Sequence, residues 1–132
     1  MARQYSNPPS LPSPRNYHHA VTVEGGRTIF LSGQVAFDRE RNIVGEDVVT
    51  QARQAFRNLE TAVQAGGGEM TDVVQLTIHV VDYDPDQLDG IAGTIAEFFP
   101  PDRLPANTLV GVSSLSTRGL LIEITGIAVI GA

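Results

Sequence analysis

The chain has 132 residues, 42% of them hydrophobic, and a formal net charge of −6, which suits one ordinary domain with a single core. It has no cysteine and no lysine, all nine basic side chains being arginine. This excludes disulfides, thiolate nucleophiles, zinc–sulfur sites, Schiff-base catalysis and a P-loop. The acidic balance opposes a nucleic-acid partner, since phosphate binding wants a basic surface; no apolar run is long enough for a membrane span, and a cytoplasmic location is the default.

Residues 1–16 hold Pro8, Pro9, Pro12 and Pro14 without an apolar stretch. They read as an extended lead-in rather than a signal peptide, and residues 17–132 as one domain. Residues 17–23 and 27–32 are two β-like runs around Gly25-Gly26, a pair that suits a tight hairpin because both glycines tolerate positive φ. Asp38 to Gly45 reads as a loop or short irregular hairpin.

Residues 47–65 read as a helix capped by Asp47, with Val48, Ala52, Ala55, Phe56, Leu59, Ala62 and Val63 on one stripe. Gly66-Gly67-Gly68 ends it. Residues 73–81 are strongly β-like. A second helix follows at 85–99, with Asp84 as N-cap, Pro85 at its first position and Gln87 completing a capping box. Leu88, Ile91, Ile95 and Phe98 form its apolar stripe, and Pro100-Pro101 stop it. Strands at 107–113 and 120–130 complete an α+β order.

Alternation assigns the faces of the sheet. Val74, Leu76, Ile78 and Val80, with Ile122, Ile124, Ala128 and Ile130, suit a helix-covered face. The other face carries Gln75, Thr77, His79, Glu123, Thr125, Ile127 and Val129. It is too apolar for bulk water and too polar for a dry core, as expected of a subunit interface with wet pockets.

Glu123 stands out, because a carboxylate between Ile122 and Ile124 needs a partner, a raised pKa or a cleft. It reads equally as an acid/base group and as one half of an ion pair between subunits. His18 and His19 point to opposite faces of a strand and cannot easily grip one ion. With His79, they read first as hydrogen-bonded structural histidines. Asp82, Asp84, Asp86 and Asp89 fail the calcium-loop pattern, because Gln87 stands where the glycine belongs and Gly93 where the final glutamate belongs. No metal site is expected.

Five segments in this order and spacing resemble the Rid family, also called YjgF or L-PSP. They are Tyr17-His18-His19-Ala20-Val21, Phe30-Leu31-Ser32-Gly33-Gln34, the helix from Gln51 to Leu59, Asp72-Val73-Val74, and Leu121-Ile122-Glu123-Ile124. The resemblance implies a chorismate-mutase-like α+β fold, a mixed sheet with two helices on one face, and a homotrimer with a central β-barrel and pockets between subunits. It also implies enamine/imine deaminase chemistry on a small metabolite without metal or organic cofactor.

In such enzymes an arginine after a Pro-Ala pair grips the substrate carboxylate, and a glutamate in the last strand orients water or shuttles a proton. Glu123 matches the glutamate as the catalytic candidate. After Pro105-Ala106, however, the chain has Asn107, which carries no charge. Losing that bidentate contact costs roughly 2–5 kcal/mol of binding, so the substrate is expected to differ from the usual 2-imino acid. Tyr17, Ser32, Gly33, Asn107 and Thr108 are expected to line the substrate pocket, with Arg103 and Arg118 in flanking loops. The alternative is a non-catalytic trimer that binds a metabolite or regulates a partner. A ribonuclease comes last, opposed by the acidic composition.

Overall fold

The computed structural model describes residues 2–131. In chain order it has strands β1 (Ala2–Ser6), β2 (Ala20–Glu24) and β3 (Arg27–Gln34), helix α1 (Val48–Ala65), strand β4 (Val73–Val81), helix α2 (Leu88–Phe98), and strands β5 (Ala106–Val112) and β6 (Ile122–Ile130). Four strands form a mixed sheet in the order β3-β6-β4-β5. β4 and β5 are parallel, while β6 runs antiparallel to both β3 and β4. Each helix is therefore a crossover between parallel strands, and crossovers of this kind share one hand. Both helices lie on the same face, where Phe56 of α1 stacks on Phe98 of α2 at 5.2 Å.

The core lies between that face and the helices. Ala52, Ala55, Phe56, Leu59 and Val63 from α1 meet Leu76, Ile78, Val80, Ile122, Ile124 and Ala128 from the sheet. The Asp47 cap forms, its carboxylate accepting from the Thr50 backbone N–H at 3.0 Å and from the Thr50 hydroxyl at 2.6 Å. At the other end Gly67 takes φ +94° and the Gly68 N–H donates to the Val63 carbonyl at 3.0 Å, which closes the helix.

Several expectations need correction. Gly25 and Gly26 both take positive φ, but the strands beside them do not form a ladder with each other. β2 pairs with β1, and β3 pairs with β6. The glycine turn therefore passes the chain from one sheet to another. The lead-in supplies β1, a strand that its polar sequence conceals.

Val74 was expected on the helix-covered face, yet Val73 is the buried residue and Val74 only half-buried. The register of β4 on β6 slips between Val73 and Gln75, and an extra residue in a strand swaps the faces beyond it. Leu88 was expected in the buried stripe of the second helix but is 40% exposed. A 3-10 turn over Pro85–Gln87 precedes α2; its three residues per turn shift the phase, and Thr94 and Phe99 are buried where the 3.6-residue stripe did not place them. The Asp84–Gln87 capping box is present on that 3-10 turn.

Candidate functional site

Across the open face of the sheet, Gln75, Thr77 and His79 of β4 stand opposite Ile127, Thr125 and Glu123 of β6. Phe30 of β3 lies beside Ile127 and is 79% exposed. On the other flank, Val110 of β5 stands beside His79 and is 39% exposed. The face thus combines exposed large apolar side chains with a band of hydroxyl, amide, imidazole and carboxylate groups.

Glu123 sits at one end of this band because of a local irregularity. Leu31 pairs with Gly126, but the next paired residue of β3 is Gln34, opposite Ile124. Three steps on β3 match two on β6, so Ser32 and Gly33 form a bulge. Bulges re-aim side chains beside sites. Here the bulge turns Gly33 toward the glutamate: a Cβ on Gly33 would lie 2.7 Å from the Glu123 Cδ and 3.0 Å from its Cγ. Gly33 has no positive φ; it is glycine because the carboxylate occupies that space. The Glu123 side chain is half-buried and makes no hydrogen bond or ion pair with any described side chain. His79 is its cross-strand neighbour, and the His79 Nδ1 is buried without a hydrogen-bond partner. In sequence, His79 read as a structural histidine; its place opposite Glu123 depends on the β4–β6 register, which periodicity does not reveal.

The other candidates divide between two places. Ser32 is exposed on the bulge beside Gly33 and Glu123. Tyr17, Asn107 and Thr108 gather near the start of β5. Tyr17 packs edge-on against His19 at 5.2 Å between centroids, and the neighbouring His18 N–H donates to the Pro105 carbonyl at 3.4 Å. Thr108 pairs with Thr77 on the open face, but Asn107 pairs with Leu76 and so faces the helix side, its Oδ1 buried without a partner. Two strand spacings and two residues separate Thr108 from Glu123, about 12 Å. One chain does not bring all six candidates together.

His18 and His19 do not converge on an ion. The His18 ring bridges Asn7 (2.8 Å) and the Pro101 carbonyl (3.2 Å), and the His19 Nε2 contacts the Pro12 carbonyl at 2.7 Å. They tie the lead-in to the domain. Among the described residues no group of three or more His, Asp or Glu is placed to hold a metal ion, and no helix is long and apolar enough to cross a membrane.

Sequence reasoning placed Gln51 on the first helix but gave it no role. It is 1% exposed. Its amide NH2 donates to the carbonyls of Gly45 (3.1 Å) and Gly119 (2.9 Å), and its oxygen accepts from the Leu121 N–H at 2.8 Å. Asn58, two helical turns along, donates to the carbonyls of Val35 and Phe37 at 2.8 and 2.9 Å. One helix thus pins the segment leaving the Gly33 bulge and the segment entering the Glu123 strand. A polar residue among apolar ones leaves no mark on a hydrophobic stripe.

Comparison with known proteins places this geometry in context. The family model described as "Endoribonuclease L-PSP" matches residues 9–130. A 2-iminobutanoate/2-iminopropanoate deaminase of Dermatophagoides farinae is 35% identical over 124 residues, covering 92% of each chain. Among solved structures, the Rid-family protein YyfB of Yersinia pestis, described as of unknown function, superposes with a TM-score of 0.93 at 34% identity, covering 98% of this chain and 100% of that one. RidA from an Antarctic Psychrobacter superposes with a TM-score of 0.71 at 28% identity, covering 96% and 99%.

Proposed function

Because the chain belongs to the Endoribonuclease L-PSP family, also called Rid or YjgF, we propose that it hydrolyses a small imine or enamine, with Glu123 handling the proton. The observation that carries this reading is the Glu123 carboxylate itself: half-buried, without a hydrogen-bond or ion-pair partner among the described residues, and lodged over a glycine on a strand bulge. A group so placed serves as a general base for water. Water adds to the imine carbon while Glu123 takes its proton. The proton passes to the nitrogen to give a carbinolamine; its hydroxyl proton then moves to the amine as the C–N bond breaks, so that ammonia leaves and the oxygen stays as the carbonyl.

The deaminase named among the relatives supports the reaction class. The uncharged Asn107, facing the helix side, argues that the substrate is not held as a 2-imino acid is in the arginine-bearing enzymes. Separation of Tyr17, Asn107 and Thr108 from Ser32, Gly33 and Glu123 favours a site completed by a second copy of the chain. The exposed Phe30 and Val110 favour burial of the same face. We take the assembly to be a homotrimer with its pockets between subunits; a monomer mass by light scattering at micromolar concentration would exclude it.

The decisive experiment compares wild type with Glu123→Gln on imines and enamines generated in situ, following ammonia and carbonyl release. Turnover should fall by about 100-fold or more while folding and mass are kept. Equal turnover by both proteins would sink the proposal.

A further inference from the structure

Three surface cavities set arginine against aspartate. Arg15 shares one with Asp89, Arg3 and Arg103 share one with Asp72 and Asp102, and Arg39 and Arg41 share one with Asp38. In one of them the charges meet directly, Arg3 reaching Asp72 at 3.4 Å, and each of the three carries a carboxylate beside its arginine. A fourth cavity, of about 370 Å³, differs. Arg118 lines it with the hydroxyl residues Ser113, Ser114 and Thr117, Val81 and Leu120 add apolar wall, and no carboxylate is among its lining residues.

Arg118 stands on a turn. The Leu120 N–H donates to the Thr117 carbonyl at 3.2 Å, and Gly119 takes φ +98°, as a glycine at the third position of such a turn does. The buried Gln51 holds the turn from behind through the Gly119 carbonyl and the Leu121 N–H. The turn that carries Thr117 and Arg118 is thus braced, which lowers the entropy lost when a ligand is bound. The cavity also lies at the Glu123 end of the sheet. Val81, in its wall, donates its N–H to the Leu121 carbonyl at 2.9 Å, and Glu123 is two residues further along, about 7 Å.

We propose that this cavity is an anion subsite that takes a substrate carboxylate. Arg118 supplies the charge and the serine and threonine hydroxyls supply directed hydrogen bonds. That the carboxylate belongs to the molecule hydrolysed rests on the reading of Glu123 given above; that the cavity binds a small carboxylate does not. The substrate is then an imine whose anionic group lies toward the β5–β6 loop rather than toward Asn107.

The test uses the assembled wild-type protein with Arg118→Ala, Arg118→Gln and Glu123→Gln, each first shown to keep its mass and melting temperature. 2-Oxobutanoate and its uncharged methyl ester are titrated by calorimetry and by NMR of the arginine Nε–H groups. Wild type should bind the carboxylate and shift the Arg118 resonance, and both Arg118 variants should bind it roughly 10- to 100-fold more weakly. The ester should bind weakly to all of them. No binding by wild type, equal binding by the Arg118 variants, or ester binding as tight as carboxylate binding each overturns the subsite. Arg118-dependent binding without turnover of any imine leaves the subsite standing and removes the hydrolytic reading. Loss of turnover in Glu123→Gln, with binding and KM unchanged in Arg118→Ala, does the reverse.

Discussion

The Gly33→Ala substitution puts a methyl group where the Glu123 carboxylate lies. The new Cβ would sit 2.7 Å from Cδ and 3.0 Å from Cγ, well inside van der Waals contact. The atoms in conflict are the far end of a half-exposed side chain, so the glutamate can rotate away rather than push the strands apart. An off-rotamer side chain costs about 1 kcal/mol, which in a domain of this size lowers the melting temperature by about 4 °C. On the proposal that Glu123 handles the proton, the catalytic effect should be far larger, because displacing a reacting group by about 1 Å costs about 100-fold in rate. The assay is kcat on an in-situ imine beside thermal unfolding of the same preparation. A kcat equal to wild type would refute the idea that Gly33 sets the position of the carboxylate. A protein that fails to fold would show instead that the glycine is needed by the bulge.

Gln51→Leu keeps the volume of a buried side chain but strips the Gly45 and Gly119 carbonyls and the Leu121 N–H of their partner. Leaving such groups unsatisfied should cost about 3–5 kcal/mol, read as a lower midpoint in urea; a shift within error would show that water replaces the amide. Stability should also fall in acid. The Thr50 hydroxyl and N–H hold Asp47 below its ordinary 3.8, the Asn42 N–H does the same for Asp38, and the Arg53 guanidinium holds Glu97 below 4.5. A carboxyl depressed in the folded state contributes stability that is complete above its unfolded pKa and is lost as pH falls through the folded one. Urea midpoints should therefore be steady at neutral pH and decline once the pH passes below 4.5 and then 3.8. Asp47→Asn, which preserves the cap without the charge, should flatten part of that decline; an unchanged slope would remove Asp47 from the account.

Much of the fold was legible because burial is periodic. The stripe from Ala52 to Val63 and the alternation of Ile122 and Ile124 each follow from one geometric repeat, and the core uses them as expected. The misplacements mark where a repeat is interrupted. Val74 is displaced by a bulge and Leu88 by a turn of another pitch. β1 carries few apolar residues, because it pairs with β2 outside the four-stranded sheet. In the candidate site, Glu123 was conspicuous as a charge among isoleucines. Its relation to Gly33 and His79 was hidden, since both depend on strand register. Gln51 was invisible because its value lies in three backbone partners distant in sequence.

β6 occupies an interior position in the four-stranded sheet although it comes last among the described elements. During synthesis, β3, β4, β5 and both helices therefore exist before the strand that joins β3 to β4. Until it is added, the inner edges of β3 and β4 lack the ladder they form in the finished sheet, and long-range pairing of this kind is slow to form. The nascent chain is then open to wrong pairing with its neighbours until the strand that carries Glu123 has been made.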